Sequence, residues 1–178
     1  MIAEQIEEDV RRLDEIVAEL NKEANRHKAA RDDYNRQASV LADKRDRLQA
    51  QARKLSSQAA VFKQHRDECN ISAREAKQKR DEWNDRAARM KAAGGLGDIG
   101  EAKNQAQGYH QKVIKYSQSG QGYHDKMHAL MEEADSLRKQ AQECHEQASV
   151  CRTAANSEHE KYIAVVRKIE KVRDELPE

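Results

Sequence analysis

The amino-acid sequence predicts an all-α protein, a long antiparallel two-helix coiled-coil hairpin with a glycine-rich turn. The first observation is where the helix breakers lie. All seven glycines fall between residues 94 and 122 and the one proline is Pro177, so residues 1–93 contain neither. The second observation is an apolar residue at every seventh position on each side of the glycine cluster, which is typical of a left-handed coiled coil.

The first helix is predicted over residues 1–93. Steps of seven from Ile6 to Met90 reach an apolar or aromatic residue at most positions, and we call this row d. The row three residues earlier, a, contains alanines, valines and four arginines. Rows a and d together form the seam, the stripe along which one helix packs against the other. The four arginines open the phrases RDDYN, RDRLQ, RDECN and RDEWN, which begin at Arg31, Arg45, Arg66 and Arg80. Their separations are multiples of seven, so the repeated phrase is one heptad, and we expect the arginine stems to pack while the guanidinium groups reach solvent.

A glycine-rich turn is predicted at 94–98 and a second helix at 99–176. Gly94 suits the left-handed position that ends many helices. Asp98, followed by Glu101, resembles the capping box that starts a helix. The seven-residue spacing continues through the second helix past Gly108, Gly120 and Gly122, so we expect these three glycines to lower the stability of the helix without ending it.

The histidines of the second helix indicate the register of the hairpin. His110, His124, His145 and His159 are spaced like the four seam arginines, but in reverse order. A mirrored spacing is what antiparallel pairing predicts. We therefore expect facing seam residues to have numbers that add up to about 189, which would set Arg31 against Glu158.

Composition argues against an enzyme. The chain is 37% charged and 4% aromatic, and two paired helices enclose no pocket in which catalytic groups could be desolvated. Fourteen helical residues span about 21 Å, so no two of the four mirrored histidines can share an ion. We therefore expect no catalytic site, no metal and no cofactor. There is no membrane-spanning apolar run, and three cysteines provide no disulfide framework, so a reducing cytoplasm is expected.

Charge is unevenly distributed along this nearly neutral chain. Residues 44–91 contain 14 basic and 7 acidic side chains, and Trp83 and three tyrosines lie toward the turn. Cations with interleaved aromatics are typical of nucleic-acid-binding surfaces. Alternatively, the tyrosines belong to the seam and the charges form a solvated face. The candidate nucleic-acid-binding residues outside rows a and d are Lys44, Arg47, Arg53, Lys54, Lys63, Arg74, Lys77, Lys79, Arg86, Arg89 and Lys91.

The phrases RDECN and RDEWN and the stretch EADSLRKQAQECHEQA resemble a family of archaeal coiled-coil proteins. Its members are often labelled phosphoserine phosphatase although they carry no phosphatase motif. A more distant similarity is to a yeast nuclear-segregation, polysome-associated coiled-coil protein. This resemblance implies association with RNA or the ribosome. The alternative is a scaffold rod that binds protein partners or self-associates, and a homodimer of hairpins is compatible with either function.

Overall fold

The computed structural model describes residues 2–95 and 97–174, which form two helices joined by a short turn. Helix α1 is Ile2–Ala92 and helix α2 is Gly97–Asp174. The described residues contain no strand, and the all-α helical hairpin predicted from the sequence is confirmed. Residues 175–176, the predicted end of the second helix, lie outside the described residues, as do Met1 and Leu96.

Gly94 ends α1 in the way that the sequence predicts. Its φ of 75° lies in the left-handed region, and its backbone N–H donates to the carbonyl of Lys91 at 3.2 Å. Helix α2 begins at Gly97, so Asp98 lies inside the first turn and not before it as the capping-box interpretation required. There its negative charge faces the positive end of the helix dipole.

The two helices pair in two compact units. The turn unit comprises Ala50–Arg138, and the distal unit comprises Met1–Gln49 with Lys139–Glu178. Within the turn unit the backbone of Gly120 approaches the side chain of Cys69, and these residue numbers add up to 189. Within the distal unit His27 contacts Glu158, which gives 185. The first contact has the predicted sum, and the second differs from it by four residues, which is about one helical turn.

The core consists mainly of alanine. Twelve of the fifteen buried apolar residues in the described part of the chain are alanines, and no large side chain there is fully buried. Most of the larger seam residues are only half-buried, whereas Val165 and Ile169 are buried in the distal unit. Small side chains between paired helices allow the backbones to approach closely, so the layers have little room for additional atoms.

Three glycines inside α2 differ in what surrounds them. A Cβ added to Gly108 or Gly122 would meet nothing within 4 Å, whereas at Gly120 it would lie 3.3 Å from Asn70 Oδ1 and 3.4 Å from Cys69 Cβ. Because Ala favours a helix over Gly, we expect Gly108→Ala and Gly122→Ala each to raise the free energy of unfolding by about 1 kcal/mol. Gly120→Ala should gain less, since its neighbours must move. Urea denaturation measures this, and an equal gain at Gly120 would contradict the close approach of the helices.

Candidate nucleic-acid interface

Each seam arginine forms an ion pair with the aspartate that follows it. In all four Arg-Asp phrases the guanidinium Nη2 lies 2.6 or 2.7 Å from the aspartate Oδ1, while the arginine side chain is only 25–27% exposed. The pairs are Arg31–Asp32, Arg45–Asp46, Arg66–Asp67 and Arg80–Asp81. The repeated phrase therefore contains its own counterion. It lets a charged residue occupy the seam with its stem packed and its charge neutralised at the surface.

The predicted contact of Arg31 with Glu158 is wrong. Glu158 Oε2 lies 2.6 Å from His27 Nδ1, and its Oε1 accepts a hydrogen bond from Lys161 Nζ at 2.6 Å. Arg31 Nη1 is instead 3.5 Å from His159 Nδ1. Because Asp32 already neutralises Arg31, the seam carboxylate pairs with the histidine one turn earlier.

Glu158 should contribute stability that is lost in acid. The hydrogen bond from Lys161, and then that from His27, hold the pKa of Glu158 below its ordinary value of 4.5. A lowered folded-state pKa gives stability that is present above pH 4.5 and lost as the pH falls through the folded pKa. We therefore expect Glu158→Gln to lower the melting temperature at pH 7 but to matter much less near pH 3. Glu160→Gln, an exposed neighbour, is the matched control, and a pH-independent deficit for Glu158→Gln would contradict this assignment.

All eleven candidate cations are exposed, but they do not share one face. Lys44 and Arg47 belong to the distal unit, and the other nine belong to the turn unit. The cations of the turn unit occupy heptad positions on both sides of the seam and on the back of α1. The eleven predicted cations therefore lie on several surfaces of the helices. Two of these surfaces flank the seam.

The first of these surfaces, which we call the e edge, contains no carboxylate. It is formed by the residue after each d position in the turn unit, and Arg138 Nη2 donates to Ser56 Oγ across it at 2.7 Å. Its residues are Ser56, Lys63, Asn70, Lys77, Asn84 and Lys91 on α1, and Lys103, His110, Ser117, His124, Met131 and Arg138 on α2. The antiparallel pairing thus joins two rows of cations, histidines and neutral residues along one side of the hairpin.

The acidic residues next to the e edge are already paired. Asp67 and Asp81 each accept hydrogen bonds from the seam arginine before them, and Asp135 accepts one from Arg138. Among the described residues, by contrast, no carboxylate oxygen lies within 4.0 Å of Nζ of Lys63 or Lys77. The side-chain nitrogens of Lys91, Lys103 and the neighbouring Arg74 also have no carboxylate oxygen within 4.0 Å among these residues. The e edge therefore combines unpaired cations with the absence of any carboxylate among its residues. Arg86, Lys112 and Lys126 on the other side of the seam also have no carboxylate oxygen within 4.0 Å among the described residues, but that side contains Asp98 and Glu133.

The opposite side of the seam, which we call the g edge, is formed by the residue before each a position in the turn unit and contains two carboxylates. Its residues are Gln51, Gln58, His65, Ser72, Lys79 and Arg86 on α1, and Asp98, Gln105, Lys112, Ser119, Lys126 and Glu133 on α2. Its Lys79 is tied to Glu82 at 2.9 Å, and this contact raises the pKa of the lysine. Four aromatic rings of the turn unit have a cation near one face: Trp83 with Arg86 at 5.0 Å, Tyr109 with Lys112 at 4.7 Å, and Phe62 and Tyr123 with Lys126 at 5.7 and 5.8 Å. The tyrosines are half-buried seam residues, which favours the second interpretation of these aromatics.

The candidate residues from the sequence omitted every cation of α2. Lys103, His110, His124 and Arg138 complete the e edge, and no stretch of α2 is basic enough to reveal them by composition. The signal was present in the heptad frame, because e positions of antiparallel helices lie side by side. The turn unit as a whole contains 16 basic and 12 acidic residues, whereas the distal unit contains 17 and 20.

No three histidine, cysteine or carboxylate side chains of residues 2–95 and 97–174 come together as metal ligands. No helix within these ranges is apolar over a length that could cross a membrane.

Comparison with known protein families gives a match over most of the chain. The model of a family of unknown function, DUF7121, matches residues 15–95 and 93–178. No curated protein and no solved structure shows a significant match to the chain.

Proposed function

The chain belongs to DUF7121, a family of unknown function, and we propose that it is a non-enzymatic factor that associates with RNA or the ribosome through the e edge of its turn unit. The observation that carries this proposal is the absence of any carboxylate from the twelve residues of that edge. Binding to ribosomes or messenger RNA would place the protein in the cytoplasm.

The arrangement of the cations suits a long anion better than a compact one. Lys63, Lys77 and Lys91 are separated by 14 residues each, which is about 21 Å along a helix. These three lysines cannot converge on one small ligand, but they can each meet a phosphate of an extended polyanion. Such contacts release counterions, so affinity is independent of base sequence and falls steeply with salt.

The experiment is retention of the purified full chain on immobilised RNA and on ribosomes at increasing salt. We expect retention at low salt that disappears as salt rises, and copurification of RNA from native lysate that is lost after ribonuclease treatment. A chain that shows no salt-sensitive retention on either support would contradict the proposal. The scaffold function would then take its place, with the partner being a protein or a second copy of the chain.

A further inference from the structure

Met131 is the one apolar residue among the twelve described residues of the e edge. The other members of this edge on α2 are lysine, histidine, serine and arginine, yet here a methionine side chain is 48% exposed. Exposed apolar side chains that stand alone are common, so this residue by itself indicates nothing. Its surroundings make it informative.

Met131 borders a cleft of about 310 Å³ between the two helices of the turn unit. Ala59 and Ala60 of α1 line one side, and Met127 and Met131 line the other. The cleft exists because the small alanine side chains leave space opposite the methionines.

Two cations stand at the rim of this cleft. Lys63 is exposed and has no carboxylate oxygen within 4.0 Å among the described residues. Arg138 also lines the cleft, and its guanidinium is held in place by Asp135 and by Ser56 Oγ. An apolar slot beside a free cation is complementary to a group that is flat and apolar but attached to an anion. A nucleotide combines these features, since its base is flat and its phosphate is charged.

We infer that this cleft holds one unstacked base of single-stranded RNA, with Lys63 contacting a neighbouring phosphate. The inference rests on the proposed function and adds strand selectivity to it. Methionine sulfur makes favourable contacts with aromatic rings, and the alanines give the ring a flat apolar surface. A duplex keeps its bases stacked, so it can use the lysines of the e edge but not the cleft.

The test compares a single-stranded RNA with a blunt duplex of the same length, using the full chain in binding titrations at several salt concentrations. Met131→Gln removes the apolar side chain, and Ala60→Gln fills the cleft, while both keep the net charge and a good helix former. We expect each variant to weaken single-strand binding about three- to tenfold with an unchanged salt slope, and to leave duplex binding unaffected. Lys63→Gln should instead shallow the salt slope by about one for both RNAs.

Val61→Gln is the matched control, because Val61 is 52% exposed but lies on the back of α1, away from the cleft. The inference is overturned if Val61→Gln behaves like Met131→Gln, if Met131→Gln has no effect on single-strand binding, or if the duplex loses as much affinity as the single strand. Any of these results leaves salt-dependent RNA binding, and therefore the proposed function, intact. Absence of RNA binding by the unaltered chain would overturn both.

Discussion

Replacing Lys63, Arg74, Lys77, Lys91 and Lys103 with glutamine should weaken RNA binding roughly a hundredfold or more at low salt. These five cations lie on or beside the e edge and have no carboxylate partner among the described residues. Each phosphate contact that is lost removes about one unit from the slope of log affinity against log salt. At about 0.7 to 0.9 unit per contact, the loss of five contacts should make the slope shallower by about four units, as measured by titrations over a range of salt concentrations.

The matched control removes five positive charges from the other side of the same unit. It changes Lys54, Lys79, Arg86, Lys112 and Lys126 to glutamine, of which four lie on the g edge and Lys54 lies next to it. This variant has the same net charge as the e-edge variant, so it isolates position from total charge. We expect it to keep most of the salt slope. Equal losses in the two variants would show that only net charge matters and would contradict the assignment of the interface to the e edge.

Ala134→Leu should strongly destabilise the turn unit, with a cost of about 3 kcal/mol. Ala134 is 0% exposed and belongs to a core in which alanine sets the distance between the helices. A leucine there must push the helices apart, and the neighbouring layers lose contacts as they separate. The free energy of unfolding from urea denaturation, followed by helical circular dichroism, measures the cost.

Ala129→Leu provides the control for this substitution. Ala129 is exposed on α2, five residues before Ala134, and leucine there keeps the same helix propensity without entering the seam. We expect its free energy of unfolding to remain within about 0.5 kcal/mol of the original chain. If Ala134→Leu were equally harmless, the helices would not be as closely packed as the alanine core indicates.

The chain's architecture could be predicted from the sequence because it depends on periodicity and on backbone chemistry. Apolar residues every seven positions specify the seam, and Gly94 is the residue that tolerates the left-handed conformation at the end of α1. The register was also available, since a hairpin with so short a turn has few ways to align the two seams. The start of α2 was misplaced because Asp98 is acceptable both before a helix and in its first turn.

The partners of the polar side chains were decided only by the tertiary structure. From the sequence, Arg31 could reach Asp32, Glu158 or His159, and the choice depends on which hydrogen bonds leave the fewest charges uncompensated in a half-buried seam. The position of Glu158 between His27 and Lys161 is the result of that competition. Heptad positions indicate which side chains lie close together, but not which of these side chains form hydrogen bonds with each other.

The candidate interface, too, could be predicted only in part from the sequence. The sequence alone determined that the positive charge of α1 lies toward the turn, because that is a matter of counting. Which cations of α2 lie beside those of α1 is not a matter of counting, because it depends on heptad position and on the antiparallel register of two distant segments. The tertiary structure also placed lysines over the tyrosine rings and closed the Arg-Asp pairs, because both arrangements depend on side-chain geometry that composition and spacing leave open.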